Sequence, residues 1–173
     1  MTATENVAPG MPVATFTDAM SRLVSGLAVV TTRQANGRPC GLLVSSICSY
    51  SVDPPSVLVV VDHASRCRDP LAHCAEFGVH VLGHTEERTA RTFASRGVDK
   101  FADVGWEWDG AVPRLCAAPI YLRCTTTAVF DHGDHTVLIG EVTRTALTEA
   151  EPLVCYRRLF HWRLRGSQVR STL

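Results

Sequence analysis

Apolar residues along this chain change period several times, and each change marks an element. Phe16, Ala19, Met20 and Leu23 recur at helical spacing, with Thr15 or Thr17 placed to cap the start and Gly26 to end it. LAVVTTR (27–33) is β-branched and reads as a strand. ANG (35–37) turns the chain into a second strand, RPCGLLVSSI (38–47). Pro54-Pro55 breaks the chain before SVLVVVD (56–62), a continuous apolar run of strand length. DPLAHCAEF (69–77) predicts a short helix with Asp69 as cap and Pro70 at its first position, followed by a strand, GVHVLG (78–83). TEERTARTFASRG (85–97) predicts a helix with Thr85 as N-cap, acids in the first turn and Gly97 near its end. Residues 98–118 read as loop. IYLRCTTTAVFD (120–131) and HTVLIGEVTRTAL (135–147) predict two long strands around a tight HGD connection, and PLVCYRRLFHWRL (152–164) a last one.

Strands joined by hairpins, with three short helices between them, predict a mainly β fold: an antiparallel barrel with short peripheral helices. Strands do not alternate with long helices, and no GxGxxG follows a strand, so a doubly wound nucleotide-binding sheet is not expected. The expected organisation is a flexible tail over 1–14, one domain over 15–165 and a C-terminal tail over 166–173.

Charge and cysteine content narrow the function classes. Lys+Arg and Asp+Glu balance at 17 each, so no global positive field favours nucleic acid or an anionic membrane. No apolar run approaches the roughly 20 residues that span a bilayer, and the first residues lack the basic and apolar regions of a secretion signal. Seven cysteines, an odd number without a CxxC pair, suit reduced thiols in a cytoplasmic protein.

Chemistry-bearing residues cluster at strand ends. Ser45, Ser46, Ser49 and Ser51 supply hydroxyls that can cradle an anion, or else Ser45, Ser49 and Ser51 form the outward face of an alternating strand. Ser65-Arg66-Cys67 precedes a helix and reads as a second anion-friendly element or as a capping turn. HGDH (132–135) offers two histidines but too few partners for a metal, and none is expected. Asp131 and Asp134 allow a glycosidase-like pair, although carboxylates in one turn are commonly turn formers. No GxSxG elbow or Cys/His signature marks a nucleophile. By themselves these patterns stop at an antiparallel β domain with an anion site.

Several stretches, taken in order, resemble the short-chain flavin reductase family: residues 16–67, FGVHVLG, ARTFASRGVDKFADVGW, GDHTVLIGEV and PLVCYRRLF. The resemblance covers roughly residues 15–162. It implies a flavin-binding split β-barrel that reduces free FAD or FMN with NADH, or alternatively NADPH, and supplies reduced flavin to a partner monooxygenase. It also implies a homodimer. On the flavin side it implies contacts from Gly41, Leu42, Leu43, Ser45 and Ser46, from Val60, Val61 and Asp62, and from Ser65, Arg66 and Cys67. Phe93, Lys100 and Phe101 complete that set, while His135, Tyr156, Arg157 and Arg158 match positions associated with NADH. The resemblance implies no catalytic side chain, because hydride passes between the two cofactors and His135 only positions the nicotinamide. Cys67 stands where the family commonly has Ser or Thr, and Arg158 where Gly is frequent. Other uses of the same barrel are a flavin carrier or sensor without efficient reduction, and a pyridoxamine phosphate oxidase-like oxidoreductase.

Overall fold

The computed structural model describes residues 10–160. In chain order these form α1 (Val13–Ser21), β1 (Ser25–Gly26), β2 (Ala28–Arg33), β3 (Pro39–Val44), β4 (Ile47–Val52), β5 (Pro55–Asp62) and α2 (Arg68–Ala72). Then come β6 (Glu76–Val81), a 3-10 turn (His84–Glu86), α3 (Glu87–Ala94), β7 (Trp106–Asp109), β8 (Val112–Leu115), β9 (Ile120–His132), β10 (His135–Leu147) and β11 (Val154–Cys155). Seven strands make one antiparallel sheet in the order β3-β2-β6-β9-β10-β5-β4. Two small ladders, β1-β11 and β7-β8, flank it.

The topology forces that sheet to roll. Its two edges, β3 and β4, are joined by Ser45 and Ser46 alone, so Val44 and Ile47 stand at most about 11 Å apart. Seven flat strands spaced by about 4.8 Å would hold their edges about 29 Å apart. Curling brings the edges together, and the Val60 N–H donates to the Ser46 carbonyl at 3.0 Å, tying the kink to β5. Among the described residues no ladder joins β3 to β4. The result is the expected antiparallel β architecture, curled around an apolar interior and open along one seam.

Alternation along the strands fills that interior. Ala28 and Val30, Leu42 and Val44, Val57, Val59 and Val61, Phe77 and Val79 point inward, with Cys124 and Leu138 from the two longest strands. Gly140, at a register shift in β10, leaves room for Phe77: a Cβ there would stand 2.6 Å from Phe77 Cε1. α2 closes one end through Cys67 and Leu71. β2 is apolar on both faces because a second cluster covers its outer side. Leu27, Val29, Leu82, Ala90, Phe93, Phe101, Leu115 and Leu153 pack there under α3 and the β7-β8 hairpin.

Several expectations are corrected in detail. The first helix starts at Val13 with Pro12 at its N-cap, so neither threonine caps it and it enters the expected tail by two residues. RPCGLLVSSI is not one strand: it kinks at Ser45-Ser46, and Ile47–Val52 pairs with β5 as a separate strand. Cys67, not Asp69, is the N-cap of α2, which lasts five residues because Glu76 already belongs to a strand. Thr85 does not cap α3; Gly83 begins a 3-10 turn whose Glu86 carboxylate accepts the Gly83 N–H at 2.7 Å. Residues 98–118 contain the β7-β8 hairpin around Gly110-Ala111, where Gly110 has φ +63°. The last strand is two residues long, because Arg157 and Arg158 turn the chain with φ of 50° and 64°; its continuation and the tail at 166–173 lie outside the described residues.

Candidate functional site

A cleft of about 840 Å³ opens on the outer face of β3. Its floor is the β3 backbone backed by aromatic rings. The Phe93 and Phe101 rings meet edge to face at 5.2 Å, and Phe101 meets Trp106 at 5.4 Å. The strand lies so close that a Cβ at Gly41 would stand 2.7 Å from Phe93 Cε1, so glycine is what admits the ring. Lys100 Nζ donates to the Gly41 carbonyl at 3.2 Å and the Phe93 carbonyl at 2.8 Å. Its ammonium thereby clamps strand to helix while half-buried, and burial lowers its pKa from the ordinary lysine value.

One lip of the cleft is the turn after β5. Asp62 Oδ1 accepts the Ala64 N–H at 2.7 Å, Ser65 Oγ accepts the Cys67 N–H at 3.2 Å, and the Ser65 N–H donates to the Asp62 carbonyl at 2.9 Å. These bonds fold 62–67 into a tight turn that leaves Arg66 exposed at the cleft. The opposite lip is 94–100, with Arg96. Arg38, from the β2-β3 turn, reaches Asp99 at 3.9 Å across the opening. Below, Cys40 Sγ donates to Cys67 Sγ at 2.7 Å, and Cys67 Sγ donates to the Gly41 carbonyl at 3.2 Å.

The structure brings Gly41, Leu42, Leu43, Asp62, Ser65, Arg66, Cys67, Phe93, Lys100 and Phe101 together around this cleft. Ser45 and Ser46 are exposed at the seam, outside its lining. Val61 points into the barrel interior, and Val60 lies on the other face of β5, also outside the lining. His135 begins β10 opposite Asp62, hence beside the rim, and its Nδ1 bonds Asp134 at 2.6 Å. That bond lowers the Asp134 pKa. Tyr156, Arg157 and Arg158 form a turn elsewhere, fastened to α1 by the Arg157 N–H and the Ser21 carbonyl at 2.7 Å.

Asp131 is committed to structure: it accepts from Thr136 Oγ1 at 2.6 Å and Arg68 at 2.8 Å and contacts His63 at 3.2 Å. Those bonds, Thr136's foremost, hold its carboxyl down to about 2. It is a fixed anion, not one of an acid/base pair.

Sequence reading missed Gln34, Arg38, Arg96, Asp99 and Trp106, which also line the cleft. Arg38 reads in the sequence as the first residue of a strand, RPCGLLVSSI, with nothing local to mark it as a cleft residue. Trp106 fell within a segment read as loop, although DG at 109–110 was a turn signal flanked by strand-forming residues.

Known proteins resemble this chain in sequence and in fold. The flavin reductase like domain family matches residues 20–163. An NADH:riboflavin 5'-phosphate oxidoreductase of Streptomyces pristinaespiralis is 40% identical over 157 residues, 88% of this chain and 89% of that protein. A flavin reductase (NADH) of Kitasatospora aureofaciens is 37% identical, covering 90% and 84%. Among solved structures, a Streptomyces globisporus NADH:FAD oxidoreductase in complex with NAD and FAD fragments superposes with a TM-score of 0.82 at 27% identity, over 89% of this chain and 94% of that one. With a family match across most of its length and relatives this close, the chain belongs to the flavin reductase-like family.

Proposed function

We propose that this chain is an NADH-dependent flavin reductase that reduces free FMN or FAD and passes the product to a separate monooxygenase. The relatives support the second half: a Rhodococcus opacus protein, 31% identical over 90% of this chain and 84% of its own, is the reductase component of a nitrophenol monooxygenase. The observation that carries the reading is the composition of the cleft. It combines an apolar floor backed by Phe93, Phe101 and Trp106 with cationic groups, Arg38, Arg66, Arg96 and Lys100, around the opening.

These residues fit a flavin. Its flat tricycle needs an apolar wall with a few polar groups to orient it, and its phosphate needs cations and donors. Leu43 and the backbone of Gly41 and Leu42 supply the wall, while Ser65 and Arg66 supply the anion contact. When bound, a flavin would supply the hydride-accepting ring for a nicotinamide donor. The protein's part would be to hold the two rings together in a reactive orientation, so no acid, base or nucleophile is required of the side chains. His135 is the proposed nicotinamide contact that the fold sets beside the cleft; Tyr156, Arg157 and Arg158 are proposed to contact the same nucleotide. The working form is proposed as a cytoplasmic homodimer. Among the described residues no helix is long and apolar enough to cross a membrane.

The test is a steady-state assay with FMN, FAD and NADH. Flavin-dependent NADH oxidation is expected, and Arg66→Ala should weaken flavin binding about 10- to 100-fold, the worth of one charge-assisted hydrogen bond. Absence of NADH oxidation with either flavin would overturn the reading.

A further inference from the structure

Cys40 and Cys67 stand apart from the other cysteines. Cys40 lies on β3 and Cys67 at the start of α2, both buried against the barrel interior yet both at the wall of the cleft. Their sulfurs are 2.7 Å apart, and an approach of about 0.7 Å would reach the covalent separation of about 2.05 Å. Strand and turn already hold the two side chains face to face, so bonding them needs little movement of either. Lys100 adds a positive charge on the same side, through its bond to the Gly41 carbonyl that Cys67 also contacts. The hydrogen bond from Cys40, and then this charge, lower the Cys67 pKa, while donating that bond raises the pKa of Cys40.

We propose that Cys40 and Cys67 are a redox-active pair in the cleft wall, converted by hydrogen peroxide to a disulfide and returned to thiols by a dithiol reductant. The Cys67 thiolate attacks one peroxide oxygen; an S–O bond forms, the O–O bond breaks, and the departing hydroxide takes a proton to become water. The Cys40 sulfur then attacks the Cys67 sulfenic sulfur. The S–S bond forms, the S–O bond breaks, and the second hydroxide leaves as water with the proton from Cys40. One peroxide thus oxidises two thiols and leaves two waters. Reoxidation of reduced flavin by O2 in solution is a source of that peroxide if the proposed reductase activity holds. The pair itself rests on geometry and not on that activity. Once formed, the bond pins the 62–67 turn, and with it Arg66, to β3.

The experiment treats flavin-free protein with one equivalent of hydrogen peroxide and maps its peptides without reduction. A Cys40–Cys67 cross-link is expected, removed by dithiothreitol, together with slower amide hydrogen exchange over residues 62–68. Cys40→Ser should leave Cys67 as a sulfenic acid that dimedone labels. If that variant does not fold, the wild-type peptide map decides alone. Oxidation confined to the exposed Cys48 and Cys116, or Cys67 advancing to the sulfinic acid while Cys40 stays a free thiol, would overturn the proposal. Because peroxide is added and flavin left out, a protein without NADH oxidation would still show the cross-link.

Discussion

The two faces of the curled sheet are built by different rules. The inner face is almost purely apolar and closes by strand alternation: Val30 on β2, Val59 on β5, Val79 on β6 and Leu138 on β10 meet without a polar partner to satisfy. The outer face mixes apolar and polar groups, and several of its buried polar groups are tied by hydrogen bonds to the sheet or to the elements that cover it. Thr31 Oγ1 donates to the Pro113 carbonyl at 2.6 Å, His80 Nδ1 bonds the Val29 carbonyl at 3.1 Å, and Tyr121 Oη donates to Asp109 at 3.1 Å. An apolar interior can hold a barrel together, but it presents nothing to a ligand. A face covered only in part by α3 and a hairpin leaves a cleft whose floor is also a core. Binding and stability are therefore coupled on the outer side and separate on the inner.

The strongest way to break this comparison is to hollow out each face in turn. Phe93→Ala and Leu138→Ala both delete a buried side chain, and each should cost about 2–5 kcal/mol in denaturant unfolding. Flavin affinity should fall markedly in Phe93→Ala and stay within about twofold of wild type in folded Leu138→Ala. Equal losses of affinity would show that the two faces are not separable.

The pH dependence of stability sharpens the same contrast, because His80 is a buried titratable group on the outer side. Its ring stacks on Tyr121 at 5.0 Å between centroids, and its Nε2 has no partner among the described residues. Burial pushes its pKa down from 6.5 to about 4. Between those values the unfolded chain binds a proton that the folded chain refuses. His80 therefore leaves stability intact above about pH 6.5 and lowers it as pH falls toward 4, by about 3 kcal/mol in all. Urea titrations at several pH values should show this decline, and His80→Gln should flatten it. An unchanged slope in that variant would assign the decline to other groups.

The smallest effect concerns the turn after β11. Arg157 and Arg158 occupy left-handed backbone at φ 50° and 64°, where a residue with a Cβ is strained and glycine is not. Arg158→Gly should raise stability by about 0.5–1 kcal/mol, partly offset by the greater freedom of the unfolded chain. If these arginines also contact NADH, KM for NADH rises in the same variant while flavin affinity holds. A variant less stable than wild type would show that the Arg158 side chain is worth more than the strain.

The inner face was legible in the sequence and the outer one only in pieces. SVLVVVD and GVHVLG announce strands because β-branched runs bounded by breakers have few other uses, and the two long strands around HGD pair as a hairpin as expected. Ser45 and Ser46 looked like the end of one strand. They are the corner between the two edges of the sheet, a role that depends on strand order and leaves no local trace. Asp131 reads locally as a turn former or one of a carboxylate pair, and its bond to Arg68, 63 residues away in the chain, is visible only in the fold.

Local pattern and motif order determined the element types, the antiparallel β class and the family resemblance, because alternation, turn chemistry and breakers act over a few residues. Only the tertiary structure decided which residues share the cleft. Gly41, Arg66, Phe93 and Lys100 are brought together by the rolling of the sheet and the docking of α3. The same folding set Cys40 against Cys67 across 27 positions. Such contacts are fixed by long-range packing, whose free energy depends on every strand being in place at once and so cannot be read from any one segment.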